Sequence, residues 1–331
     1  MKSIGLRFPV KYVAVLALLS SAYSPLVTAA DATAWPDSVV RLVVPYSPGG
    51  TTDFAARQVA QKLSEKTGKS FIVENKTGAS GTIATQDVAR SKGDGSVFLV
   101  TDTTYTMLPL LFSKLPWDYD NDLVHVAEII ETPLVLLVPQ KSPFTSMQDL
   151  IEYAKANPGK LNFGSGGQAS STHLAAELFG SDAQVKLNHI PYRGAGAALT
   201  DVMAGQIDML ITAAPTAIPP VQGSRVRALA VSGKERLATL PDVPTFEQAG
   251  LPSYQVVNWF GLAAPKGTPA PVVEKMNSLV GDIMNESAMQ ETMKRQGAVH
   301  RQKSVPQFGQ YVNDQVQLWA DVGKRVGIKP E

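Results

Sequence analysis

No cysteine occurs anywhere in the 331 residues, which excludes a disulfide framework, a thiol nucleophile and any Cys-based metal site. Histidine is scarce. The four, His125, His173, His189 and His300, are dispersed and never stand at the short spacing a zinc hydrolase uses. No G-x-S-x-G elbow, short repeat or low-complexity segment is present. No charge of one sign dominates either, with 30 Lys+Arg against 29 Asp+Glu. A nucleic-acid or anionic-membrane surface calls for a basic excess, so neither partner is expected.

The N-terminus carries what is distinctive about the ends. Lys2, Arg7 and Lys11 surround the start of a short apolar run at 12–19, and Val27, Ala29 and Ala30 follow as small residues. A basic region, a short apolar region and a small-x-small site predict a cleaved secretory signal peptide over 1–30. The run is far shorter than the ~20 residues of a spanning helix. Loss of Lys2, Arg7 and Lys11 takes the 30 cationic residues to 27 against 29 acidic ones. A periplasmic chain without a second apolar run of 18 residues is the expectation, and its stability must come from core burial, for which a 44% hydrophobic content suffices.

The remainder alternates strands and helices. A β-branched run at 39–44 ends at Pro45, and Ala55, Val59 and Leu63 give the helical period that follows. Strands are predicted at 71–73 and 97–100, with a helix at 83–89 between them. The rhythm restarts with a helix at 147–156 and a strand at 161–163. It continues with helices at 172–179 and 197–204 and strands at 189–192, 207–211 and 226–231. Helical periods return at 272–284 and around Phe308, Val312, Val316 and Trp319. Repeated β-α-β units predict mostly parallel sheets covered by helices, and apolar runs such as 134–138 fit strands buried on both faces. Two such units predict an α/β protein of two lobes: lobe one from 31–136 and 258–331, lobe two from 137–257. The chain crosses between them near 134–139 and 256–265.

Two strand-to-helix loops stand out, Pro45-Tyr46-Ser47-Pro48-Gly49-Gly50-Thr51-Thr52-Asp53 and Gly164-Ser165-Gly166-Gly167-Gln168-Ala169-Ser170-Ser171-Thr172-His173. Glycine lets a ligand approach the backbone, and the first amides of a helix point outward with the dipole favouring negative charge. Serine and threonine add donors. A single such loop is as well explained by a tight turn and a helix cap; one in each lobe makes a clamp for a carboxylate. A third loop, Ile190-Pro191-Tyr192-Arg193-Gly194-Ala195-Gly196, offers Tyr192 as a wall and Arg193 as a bidentate partner or a solvated cation.

Enzyme readings fare worse. The segment at 164–169 satisfies the relaxed dinucleotide fingerprint, but Asp182 follows a Gly180-Ser181 turn rather than a strand end, and no cofactor is expected. Ser165 or Ser171 with His173 is the runner-up, a secreted serine hydrolase, though nucleophilic catalysis needs a triad or an elbow. Asp118 and Asp120 read as a solvated turn. No catalytic or metal-ligating residue is assigned. A third reading is a periplasmic sensor that presents its ligand to a membrane kinase.

At these loops the chain resembles the substrate-binding proteins of tripartite tricarboxylate transporters, the Bug family of periplasmic receptors. The matching segments are residues 43–53, 73–81, 158–165, 189–194, 227–231, 240–245 and 259–262, in order from about 35 to 327. The resemblance implies a two-lobed flytrap that hands an organic acid to integral-membrane permease subunits, acting as a monomer. It points to Ser47, Gly49, Gly50, Thr51 and Asp53, with Tyr46 beside them, from lobe one. From lobe two it points to Ser165, Gly166, Gly167, Ser171, Thr172, Tyr192 and Arg193. Two segments depart from the commoner family pattern. Residues 101–106, with Thr103, Thr104 and Tyr105, stand where relatives often carry a Gly-rich loop; 211–215, with Ala213 and Ala214, stand where a polar residue often precedes the proline. Lining by Tyr105, Ala213 and Ala214 would make the distal site less polar, favouring an aromatic or aliphatic mono- or dicarboxylate over citrate or an amino acid.

Overall fold

The computed structural model describes residues 35–326; the signal peptide expected over 1–30 lies outside them. Strands β1 (Val40–Val44), β2 (Phe71–Asn75) and β3 (Val97–Asp102) run parallel, with β1 between the other two. They alternate with α1 (Thr51–Thr67), α2 (Thr82–Ala89) and α3 (Thr103–Leu111). The 17-residue strand β4 (Leu123–Pro139) follows. Then come α4 (Met147–Ala156), β5 (Asn162–Ser165), α5 (Ser171–Ala183), β6 (Asn188–Pro191), α6 (Ala195–Ala204), β7 (Met209–Ala213), α7 (Ala214–Gln222) and β8 (Val226–Val231). The chain closes with β9 (Val257–Pro265) and helices α8 (Ala270–Met284), α9 (Ser287–Arg295) and α10 (Val305–Val326).

Strand order is β2-β1-β3-β9-β4-β7-β5-β6, with β8 also on β4. The parallel rows β2-β1-β3 and β6-β5-β7 form the two lobes' sheets, and antiparallel β4 and β9 join them. β4 belongs to both: from Leu123 to Pro133 it pairs with β9, and from Leu134 onward with β7 and β8. The sequence showed only its 134–138 portion as a strand, because His125, Glu128 and Glu131 interrupt the apolar run before it.

Period-two burial explains why these strands read as continuous apolar runs. On β4, Leu134, Leu136 and Val138 face one core while Val135 and Leu137 face another that includes α6 and α7. On β3, Phe98 and Val100 face the first core and Val97 and Leu99 a separate one with Trp259 and Phe308. Both faces are covered by helices, as a parallel sheet requires. On α1 the residues Ala55, Val59 and Leu63 form the buried stripe, and Gly68 in the left-handed conformation ends the helix.

Three helices were not legible: α3, α7 and the nine-residue α9. Residues 101–106, read as a loop, are the end of β3 and the first turn of α3: Asp102 caps the helix by accepting the Thr104 amide. α7 carries Pro215, Pro219 and Pro220, residues that argue against a helix except in its first turn.

Candidate functional site

Each lobe sheet ends its parallel strands toward the same place. β1 leads into α1, β3 into α3, β5 into α5, β6 into α6 and β7 into α7. A cavity lies where these connections meet. The carboxyl ends of parallel strands are where open α/β sheets bind ligands. All five helices place their N-terminal residues on its wall. These are Gly50, Thr51, Thr52 and Asp53 of α1, Asp102 and Thr104 of α3, Ser170, Ser171 and Thr172 of α5, Ala195 of α6, and Ala213 of α7. Tyr46, Ser47, Gly166, Thr212, Asn258 and Phe260 complete the lining. Among the described residues on this wall none is Lys, Arg or His. Any attraction for an anion must come instead from helix ends, whose first amides lack intrahelical partners.

Hydrogen bonds cross the cavity from lobe to lobe. The Ser47 amide donates to the Arg193 carbonyl at 3.0 Å. The hydroxyls of Thr51 and Thr216 lie 2.8 Å apart, and the Ser171 amide donates to Thr104 Oγ1 at 3.0 Å. Ser80 donates to the Gln168 carbonyl. Backbone also meets backbone: a Cβ on Gly196 would stand 2.8 Å from the Pro48 carbonyl oxygen and 3.0 Å from the Gly49 carbonyl carbon. The halves are in contact around the cavity.

Two carboxyls line it in contrasting states. Burial pushes Asp53 up, but hydrogen bonds from Arg57, Asn75 and the Gly49 amide outweigh it and hold the group below its usual range. Asp102 is pushed up to about 6 by burial, against the opposing hydrogen bonds of Thr104, Tyr46 and Thr52. Its Oδ1 accepts from the Tyr46 hydroxyl at 3.2 Å and the Thr104 amide at 2.9 Å, and its Oδ2 from the Thr52 hydroxyl at 3.2 Å. Burial, then Asp102 itself, raises the Tyr46 phenol. Ser47 Oγ and Asn258 Oδ1 are buried with no partner among the described residues. Among these residues no group of three or more His, Asp or Glu is placed to hold a metal.

Of the residues singled out in the sequence, Tyr46, Ser47, Gly50, Thr51, Asp53, Thr104, Gly166, Ser171, Thr172 and Ala213 line this cavity. Gly167, Tyr192 and Arg193 line a neighbouring depression that shares Tyr46 and Gly166, and the Tyr192 hydroxyl is spent on Asp201 at 2.6 Å. Gly49 lies behind the wall and donates to Asp53. Ser165 is buried, its hydroxyl donating to the Gly167 carbonyl and meeting His189 Nε2 at 2.6 Å. Thr103 is turned inward to accept the Trp259 amide, and Ala214 sits in the core with Ile218.

Tyr105 is the main correction. It lies 4% exposed in the lobe-one core, stacked on Tyr119 and edge-on to His125. Helix α3, unread in the sequence, leaves it off this wall and on a small neighbouring pocket that shares Tyr46 and Asp102. The polar Asp102, Thr212 and Asn258 share the wall with Ala213 and Phe260. Thr52, Asp102, Ser170, Ala195 and Thr212 lay in segments that the sequence singled out but were not among the proposed site residues, and Asn258 and Phe260 were in none of those loops. Asp102-Thr103-Thr104 after a strand carried a capping signal; Asn258, in an apolar stretch, carried none. The serine–histidine pair also dissolves: His173 Nδ1 accepts the Ala169 amide, and Ser171 Oγ accepts from Asn258.

Two α/β lobes joined by crossing strands, with a cavity at facing helix N-termini, define a periplasmic-binding-protein fold. The family model described as tripartite tricarboxylate transporter family receptor matches residues 55–328. The chain belongs to that family, as a Bug-type periplasmic receptor and a solute-binding protein rather than an enzyme. Protein BugT of Bordetella pertussis (strain Tohama I) is 31% identical over 301 residues, 90% of this chain and 92% of its own. The R. palustris protein Rpa4515, solved with adipate, superposes with a TM-score of 0.87 at 33% identity, covering 90% of this chain and 100% of that one. MatC (Rpa3494) from Rhodopseudomonas palustris, solved with bound malate, gives a TM-score of 0.82 at 31% identity, covering 87% and 99%.

Proposed function

We propose that this protein captures a small organic carboxylate in the periplasm by closing its lobes, and delivers it as a monomer to the integral-membrane permease subunits of a tripartite transporter. Export by a cleaved signal peptide is part of the same reading. So are the lobe boundaries of 31–136 with 258–331 against 137–257, with β4 and β9 as the hinge. The observation that carries the ligand class is the convergence of five helix N-termini on one cavity. A carboxylate oxygen needs several donors when buried. Helix amides and the hydroxyls of Ser47, Thr51, Ser171 and Thr172 supply them on both sides. The malate and adipate held by the two relatives support the same class.

The cross-lobe contacts support closure. An open form would lose the bonds between Ser47 and Arg193, Thr51 and Thr216, and Ser171 and Thr104. A ligand bridging both lobes favours the closed form by its difference in affinity for the two. The test is a binding screen of mono-, di- and tricarboxylates by calorimetry and thermal shift. At least one acid should bind and raise the melting temperature, whereas a flat response to every carboxylate would refute the reading.

A further inference from the structure

The wall of the cavity proposed to take an anion carries two carboxyls, Asp53 and Asp102, and among the described residues no basic side chain. Asp102 is 5% exposed and lines it. Capping α3 does not explain a charge there, because capping uses Oδ1 and an asparagine would cap as well. Oδ2 accepts from the Thr52 hydroxyl at 3.2 Å, and the Thr104 hydroxyl also bonds the carboxyl; two oxygens with about four lone-pair sites still leave capacity for a further donor. The charged groups nearby give no relief. Tyr46 is a neutral phenol, and Asp53 on α1 is itself acidic and takes up Arg57. A second acceptor points to the same need: Asn258, 3% exposed and on the same wall, has its Oδ1 buried without a partner among the described residues, while its Nδ2 donates to Ser171.

We infer that Asp102 is a specificity-determining residue that receives a hydrogen-bond donor, an ammonium or a hydroxyl, carried on the chain of the bound carboxylate. The inference rests on the carboxylate reading above. The ligand's carboxylate takes the helix amides and serine and threonine hydroxyls, and its donor faces Asp102, with Asn258 Oδ1 as the neighbouring acceptor. An unsubstituted acid would set two negative groups in one dehydrated space, with no cation between them. The selected class is therefore hydroxy- and amino-carboxylates.

Matched ligands test this without altering the protein: succinate against malate and aspartate, and adipate against 2-aminoadipate, by calorimetry at neutral pH. Within the series that fits, the substituted acid should bind at least about tenfold more tightly than the plain one. Asp102→Asn, which keeps the cap, should shrink that ratio to about threefold or less by strengthening the plain acid. The inference fails if the plain acid binds as tightly and Asp102→Asn leaves the ratio unchanged. It also fails if the plain acid binds with proton uptake and weakens steadily above pH 6, since Asp102 would then accept a proton in place of a ligand donor. If no acid of either series binds, the carboxylate reading itself has failed, which is a different result from an unselective site.

Discussion

Asp102 caps a helix and also forms part of a cavity wall, and its titration follows from that position. Burial lifts it from an ordinary 3.8 to about 6, so between those values the folded state binds more protons than the unfolded one. Stability therefore falls as pH rises through this window. The contribution is fully present below about pH 4 and lost above about 6, on the order of 2–3 kcal/mol. Glu128, 1% exposed beside Lys303, is also lifted, to about 7, so the informative quantity is a difference. The melting temperature of the wild type minus that of Asp102→Asn should decline from pH 4 to pH 7, and parallel curves would show that Asp102 does not titrate in this way. Residues of this kind were only partly legible. Gly50, Thr51, Ser171 and Thr172 announced themselves because glycine and hydroxyl side chains cluster before a helical period. Asn258 had no local sign, since only the pairing of β9 with β3 and β4 brings it to the cavity. Tyr105 misled because size says nothing of direction until the helix that carries it is known.

Among the elements, the first turn of α3 matters most. Its Thr104 hydroxyl accepts the amide of Ser171, the first residue of α5 in the other lobe. An orphan helix amide is thus satisfied only while the halves meet. Thr104→Val keeps the shape and removes the acceptor. Ligand affinity should drop about fivefold, the worth of a net hydrogen bond of about 1 kcal/mol, while helical content measured by circular dichroism stays the same. An unchanged affinity would mean that this bond does not help closure. Away from the cavity, Ser146 caps α4 in a reciprocal pair with Asp149. Ser146→Ala should cost about 1 kcal/mol of stability, read from denaturant unfolding, with binding untouched. Helices such as α1 and α8 were visible from their apolar period and their stops. α3 and α7 were hidden because threonine and proline are poor helix formers, and tertiary packing of α3 against α10 around Trp319 overrides that preference.

At the scale of the whole molecule the two-lobed plan was readable because strand–helix alternation restarts midway, a property of the entire chain rather than of any motif. The length of β4 was not, since its two halves have different neighbours and different polarity. Gly196, in the first turn of α6, stands against the backbone around Pro48 and Gly49 of the facing lobe. An alanine there suits a helix but collides with the facing lobe. Gly196→Ala should keep or slightly raise the melting temperature of the unliganded protein while abolishing tight binding.

Small-angle scattering of the wild-type protein, titrated with the tightest acid from the carboxylate screen, bears most directly on capture by closure. The radius of gyration should fall on saturation, with the midpoint matching the calorimetric affinity, and the same acid should leave Gly196→Ala extended. A carboxylate that binds tightly with no change in the radius, in wild type and variant alike, would contradict closure as the mode of capture.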